Sequence, residues 1–153
     1  MGGVAKAQKR EGKSMDMFDF RERAGSGVDP AIEALATRAI GAAIEVHRHL
    51  GPGMPEISYR RAMSKEFELL RIPHTCEVDV PIVYKGSEVG LGRLDILVDD
   101  RLPLELKAVE SLSAVHVGQL LTYLRMTKLP LGLLINFNVA AVRSGIKRVV
   151  CTQ

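Results

Sequence analysis

The stretch LPLELKAVE, residues 102–110, places two opposite charges inside a leucine-rich run. Because successive side chains of a β-strand point to opposite faces, its leucines share one face while Glu105 and Lys107 share the other. Removing a carboxylate and an ammonium from water costs several kcal/mol each unless a partner compensates. The pattern therefore predicts a buried strand whose two charges meet a partner from elsewhere in the chain.

Composition is that of one globular domain. The chain has 153 residues, of which 46% are apolar and 25% are charged. Its apolar runs are far shorter than the ~20 residues of a membrane span, and we find no N-terminal signal pattern. We therefore expect a soluble, cytoplasmic protein with no membrane partner. Cys76 and Cys151 match no metal-ligand spacing, which indicates reduced structural thiols.

Charge is concentrated at the N-terminus. Residues 1–28 hold six basic and four acidic side chains, a net charge of +2 of the chain's +3. This glycine-rich segment of mixed charge predicts a flexible tail over 1–28, followed by a domain over 29–153. Met15 and Met17 stay open as alternative start residues. The small positive charge gives only slight support to nucleic-acid binding.

Two helices are predicted at the start of the domain. Asp29 is a typical N-cap, Pro30 fits the first helical position, and apolar residues then recur at helical spacing up to Gly51. A second helix follows from about 56 to 71. Its apolar residues include Ile57, Ala62, Phe67 and Leu70.

From residue 75 the apolar period becomes that of strands. Runs over 75–84, 88–98 and 102–107 are joined by short turn sequences, which predicts an antiparallel meander. In the first run, alternation places one set of side chains on a common face: Cys76, Val78, Val80, Ile82 and Tyr84.

A third helix and a further strand complete the predicted core. Ser113 is a suitable cap for a helix that ends near Met126, and the apolar run over 131–137 then predicts a buried crossover strand. The fold class is therefore α/β, with a mixed four-stranded sheet, an antiparallel meander plus a crossover strand, flanked by helices. Residues 146–150 stay open as an added edge strand.

Asp95 is the candidate partner of the two charges in the opening stretch. A tight turn brings its strand beside the third strand, so Asp95 can lie next to Glu105 and Lys107. Two converging carboxylates are a usual way to hold Mg²⁺, which prefers hard oxygen ligands. A structural salt bridge between strands gives a similar pattern, so the residues alone leave both interpretations open.

Five ordered segments resemble the GxxExxY family of the PD-(D/E)XK nuclease superfamily, whose fold is the restriction-endonuclease-like core. The resemblance runs from about Ala39 to Val150. The name-giving motif is here Gly53, Glu56 and Tyr59. The segments are GPGMPEISY, GRLDILV, ELKAVE, QLLTYLR and LGLLINFN.

The resemblance assigns a metal and catalytic site. It implies that Asp95 and Glu105 are the acidic metal ligands and that the backbone carbonyl of Leu106 completes the set. It also implies that Glu56 helps to bind or position the metal, and that Lys107 is the catalytic lysine. The implied cofactor is Mg²⁺, with Mn²⁺ as a substitute. Leu94 stands where the superfamily motif has its proline.

The resemblance also assigns substrate-binding residues. Gln119 and Tyr123, four residues apart on one helix face, are expected to line the cleft. Tyr59, one turn after Glu56, either contacts the substrate region or is a structural tyrosine. Dispersed basic residues are either phosphate contacts or solvated charges, namely Arg60, Arg61, Arg93, Arg125 and Lys128.

The function implied is a metal-dependent nuclease that hydrolyses phosphodiester bonds of nucleic acid by attack of a metal-activated water. The alternative is a non-catalytic module of the same fold that binds nucleic acid or protein. A homodimer is a further expectation, because cutting both strands of a duplex together requires two centres.

Overall fold

A mixed five-stranded β-sheet with helices on both faces forms the fold in the computed structural model, which describes residues 27–152. The predicted tail over 1–28 lies, apart from its last two residues, outside the described part and stays a prediction. The elements are α1 (Pro30–Leu50), α2 (Glu56–Leu69), β1 (His74–Tyr84), β2 (Ser87–Val98), β3 (Leu102–Lys107), α3 (Ala114–Thr127), β4 (Leu131–Asn136), a short 3₁₀ helix (Val142–Gly145) and β5 (Ile146–Val150).

The strands lie in the sheet in chain order. β1, β2 and β3 form the predicted antiparallel meander, and α3 carries the chain across to β4, which is parallel to β3. This confirms the α/β, restriction-endonuclease-like fold class. The predicted count of four strands is too low by one, because β5 pairs antiparallel with β4 along its whole length.

β5 contains a buried arginine, which interrupts the apolar sequence expected of a buried strand. Arg148 is buried, and its guanidinium forms an ion pair with Glu33 of α1. Since the partner lies 115 residues away, the sequence gives no local sign that this charge is accommodated.

α1 begins and ends where its sequence predicts. The side chain of Asp29 accepts a hydrogen bond from the amide of Ala31 at 2.8 Å, and Pro30 is the first helical residue. At the other end Gly51 has φ +65°, a conformation that glycine adopts without steric cost.

α2 buries a face different from the one its apolar residues suggest. Its buried residues are Tyr59, Met63 and Phe67, at four-residue spacing, whereas Ile57 and Leu70 are exposed. Residues at this spacing lie above one another on one side of a helix, so Tyr59 belongs to the buried face of α2.

Two apolar cores lie on opposite faces of the sheet. The α1/α2 core is the larger one and contains all three leucines of β3 at positions 102, 104 and 106. The α3 core packs α3 against the other face, with Val80, Leu94 and Leu134 among its residues. No helix within residues 27–152 has the length and apolar character needed to span a membrane.

β1 changes faces at Glu77. Cys76 packs with the α1/α2 core, but Val78 packs with the α3 core, so the predicted common face of 76–84 is wrong at Cys76. The physical reason is that Glu77 has φ +56°, in the left-handed region, which interrupts the alternation of a regular strand.

Candidate active site

The site lies at a fork between β2 and β3. These strands pair only over Ile96–Val98 and Leu102–Leu104, and the same register places Asp95 opposite Glu105. At this point side chains make hydrogen bonds across the fork. The amide of Leu106 donates to Asp95 Oδ2 at 2.7 Å, and the amide of Asp95 donates to Glu105 Oε1 at 3.2 Å. The two carboxylates are therefore held side by side.

Glu105 is buried and Asp95 is half-buried. Glu105 is only 4% exposed. Burial, and then the neighbouring charge of Asp95, raise the pKa of Glu105 to about 8. Burial also raises the pKa of Asp95, although the Leu106 amide and the charge of Lys107 act in the opposite direction. Like charges placed opposite each other destabilise a strand pair, so this pair requires a compensating cation or proton.

Glu56 and Lys107 complete the acidic and basic set. Glu56 is the exposed first residue of α2, and partial desolvation, followed by the charge of Asp95, raises its pKa. The charge of Lys107 lowers the pKa of all three carboxyl groups. The structure therefore brings together the four residues assigned to catalysis. They lie on α2, β2 and β3, within a segment of 52 residues.

The backbone at Lys107 is fixed by the neighbouring strand. Lys107 lies opposite Asn136 in the β3–β4 pair, and its carbonyl accepts a hydrogen bond from the amide of Phe137 at 2.9 Å. Asn136 is itself buried, and its side chain accepts from the amide of Val109 and donates to the carbonyl of Val109. Asn136 thus holds in place the segment that follows Lys107.

The donor set fits a hard divalent cation. Among residues 27–152, no group of three or more His, Cys, Asp and Glu side chains is arranged to hold a metal ion. A magnesium site needs fewer protein ligands, because Mg²⁺ usually retains several waters and takes one or two carboxylates. Asp95 and Glu105 provide these two carboxylates, desolvated and mutually repelling, beside the Leu106 backbone.

Gln119 and Tyr123 meet on α3 as their spacing predicts. Gln119 Nε2 donates to the Tyr123 hydroxyl at 3.1 Å; Gln119 is exposed and Tyr123 is buried. The Tyr123 ring packs on Gly92, three residues before Asp95 on β2, where an added Cβ would be 2.3 Å from Tyr123 Cε1. This pair therefore lies along β2 near the fork.

Tyr59 does not reach a surface. It is fully buried, its ring stacks on Phe137 at 4.4 Å, and its hydroxyl donates to the carbonyl of Gly51 at 2.5 Å. The hydroxyl also accepts from the amide of Met54 at 3.1 Å. Tyr59 holds the connection that leads into Glu56, which favours the structural interpretation over substrate contact.

Leu94 fills a core position. The residue that stands in place of the motif's proline is fully buried in the α3 core. Its side chain anchors β2 immediately before Asp95, so the exchange of proline for leucine leaves the aspartate on a strand that is packed.

Fold and site together define a restriction-endonuclease-like domain, with an Asp on one strand and a Glu-x-Lys on the next. The chain belongs to the PD-(D/E)XK nuclease superfamily, whose model matches residues 33–149, from the first turn of α1 to the penultimate residue of β5. A search of curated proteins found no match.

Proposed function

We propose that this protein is a metal-dependent nuclease that hydrolyses phosphodiester bonds of nucleic acid by attack of water on phosphorus. The observation that carries the proposal is the desolvated pair of Asp95 and Glu105 at the fork, with Lys107 beside it. Mg²⁺, or Mn²⁺ as its substitute, is the proposed cofactor.

The residues have distinct proposed roles. Asp95 and Glu105, with the Leu106 carbonyl, hold the cation, which supplies positive charge at the phosphate and lowers the pKa of a water. Glu56 assists these carboxylates from the start of α2. Lys107 orients or deprotonates the attacking water, or stabilises the transition state.

Substrate positioning is assigned to α3. The exposed amide of Gln119, oriented by the Tyr123 hydroxyl, is a donor that can contact a phosphate. We also propose that the protein belongs to the GxxExxY group, because Gly53, Glu56 and Tyr59 match its motif. Tyr59 has a structural role in this proposal, since its hydroxyl holds the connection that leads into Glu56.

The test is cleavage of a panel of labelled DNA and RNA, single- and double-stranded, in Mg²⁺ and in Mn²⁺. Lys107→Ala should abolish cleavage with little effect on folding. Leu104→Ala is the contrasting variant. It truncates a fully buried side chain and should mainly destabilise the fold, by about 2–5 kcal/mol. Equal cleavage by the wild type and Lys107→Ala would refute the catalytic assignment.

Metal titration separates this function from its alternative. Calorimetric titration with Mn²⁺ should show binding to the wild type that is lost in Asp95→Ala and Glu105→Ala variants that remain folded. A wild type that neither binds the ion nor cleaves any probe would favour a non-catalytic interaction module.

A homodimer remains part of the proposal for a duplex substrate. Two copies would place one centre on each strand. Light scattering during size-exclusion chromatography measures the oligomeric state directly, and a monomer that cuts both strands together would contradict it.

A further inference from the structure

One row of polar side chains on α2 faces β1. Glu56, Arg60 and Ser64 are spaced four residues apart, so they lie along one side of the helix. Ser64 Oγ is 2.7 Å from His74 Nε2, and Arg60 Nη1 is 3.2 Å from Glu77 Oε1. The row therefore runs along β1, from Ser64 at His74 to Glu56 at the carboxylate site, and Arg60 lies between them.

Arg60 is positioned at the carboxylate site. Its side chain is only 22% exposed, and its positive charge lowers the pKa of both Glu56 and Asp95. The neighbouring Arg61 is exposed and lies about 100° further around the helix. Of these two adjacent arginines, only Arg60 acts electrostatically on the site.

Glu77 holds the guanidinium of Arg60 in an ion pair. The left-handed backbone of Glu77 lies at the point where β1 changes faces, in the strand that pairs with the segment of β2 containing Asp95. The carboxylate of Glu77 is 46% exposed and also lies 3.9 Å from Arg93 Nη1. It is therefore a solvent-accessible anion that another anion can replace.

A phosphodiester that approaches the site meets three acidic side chains, so its negative charge must be offset. A guanidinium presents five N–H donors in one plane, in a geometry that matches phosphate oxygens. One carboxylate does not use all of these donors. We infer that Arg60 binds a phosphate of the nucleic acid next to Asp95 and Glu105, with phosphate taking the place of the Glu77 carboxylate. This inference rests on the proposed nuclease function.

The test is binding of short fluorescein-labelled DNA and RNA probes, measured by anisotropy in Ca²⁺ over a series of salt concentrations. Arg60→Ala should weaken binding about tenfold and reduce the slope of log affinity against log salt by about one. Arg60→Lys should recover part of the affinity. Arg61→Ala removes the same charge from the same helix and should change the affinity less than about twofold.

A variant of the partner distinguishes phosphate binding from a structural ion pair. Glu77→Gln leaves Arg60 in place without its competing carboxylate, so it should bind the probes as tightly as the wild type or more tightly. Equal losses in Arg60→Ala and Glu77→Gln, or in Arg60→Ala and Arg61→Ala, would overturn the inference. A wild type that binds none of the probes would instead overturn the nuclease proposal together with it.

Discussion

Glu105 shows how one residue can belong to the backbone network and to the site at once. Its carboxylate accepts the Asp95 amide at the fork, yet it is almost completely buried next to a second carboxylate. Burial and the charge of Asp95 raise its pKa to about 8. Near neutral pH, a proton on Glu105 therefore removes the charge repulsion between the two carboxyl groups.

This proton should make stability depend on pH. Between the ordinary glutamate pKa of 4.5 and about 8, folded Glu105 retains a proton that the unfolded chain releases. The free energy of unfolding should therefore fall as pH rises through this window, by an amount on the order of a few kcal/mol. Glu105→Gln keeps a neutral side chain of the same shape, so it should flatten the curve and be more stable than the wild type near pH 8.

Urea unfolding in EDTA, in steps from about pH 5 to about pH 8, measures this dependence. Glu68→Gln, at an exposed position of α2, is the control and should follow the wild-type curve. Some slope should remain in Glu105→Gln, because the pKa values of Asp95 and Glu56 are also raised. Parallel curves for the wild type and Glu105→Gln would contradict the assignment.

At the scale of the element, β1 depends on one residue with unusual backbone geometry. Glu77 holds φ +56° in the middle of a strand, a region that costs a residue with a Cβ about 1–2 kcal/mol. Glycine does not carry this cost. Glu77→Gly should therefore be more stable than Glu77→Ala by about 1 kcal/mol, although at an ordinary strand position alanine is favoured.

Both variants lose the same ion pair with Arg60. The difference between their free energies of unfolding therefore measures the cost of the left-handed backbone at residue 77. Thr75, exposed in the same strand, provides the reference pair, and Thr75→Ala should be more stable than Thr75→Gly. Urea unfolding gives the order of stability of these variants from their midpoints, provided that their m-values are equal. An alanine variant at 77 that matched or exceeded the glycine variant would exclude strain at this position.

α3 is joined to β2 by a close contact that can be tested separately. A Cβ on Gly92 would lie 2.3 Å from Tyr123 Cε1, while a Cβ on Gly90 would meet Ile82 only at 3.8 Å. Gly92→Ala should therefore cost about 1–3 kcal/mol through overpacking, and Gly90→Ala should cost less.

A double-mutant cycle ties this cost to the named pair. In a Tyr123→Ala background the added methyl group should be accommodated, so the penalty of Gly92→Ala should largely disappear. Equal unfolding free energies of Gly90→Ala and Gly92→Ala, measured in urea, would contradict the predicted contact.

These elements show which features were accessible from the sequence. The start of α1 and the alternation of β3 depend on neighbouring residues, so a cap and a period of two were enough to predict them. The change of faces at Glu77 has no such signal, because a glutamate occupies a position where glycine would have indicated a left-handed backbone. Likewise, the ion pair of Arg148 in β5 depends on distant α1.

The candidate site divides in the same way. The face shared by Glu105 and Lys107 follows from the strand period, and the turn between β2 and β3 made Asp95 a reasonable partner. The fork could not be predicted, because it depends on where two strands stop pairing. The burial of Tyr59 had a signal in its four-residue spacing with Met63 and Phe67, whereas its ring contact with Phe137 required the fold.

At the scale of the whole molecule, the site joins the two cores. On one side of Asp95, Leu94 packs with the α3 core, and on the other side Ile96 packs with the α1/α2 core. The carboxylate of Asp95 bonds across the fork to β3. Repulsion between Asp95 and Glu105 therefore acts at the junction of both layers, and a ligand that relieves it should stabilise the whole domain.

We therefore expect Mn²⁺ to raise the global free energy of unfolding, and to do so more near pH 8 than near pH 5. Metal binding requires deprotonated carboxylates, and the raised pKa of Glu105 keeps it protonated at the lower pH. An ion at about 100 times its dissociation constant adds about 2.7 kcal/mol, if it binds only the folded state. Asp95→Asn should remove this gain, whereas Asp100→Asn, in the exposed turn after β2, should retain it. A gain that survives in Asp95→Asn would place the ion elsewhere, and an equal gain at both pH values would separate metal binding from the protonation of Glu105.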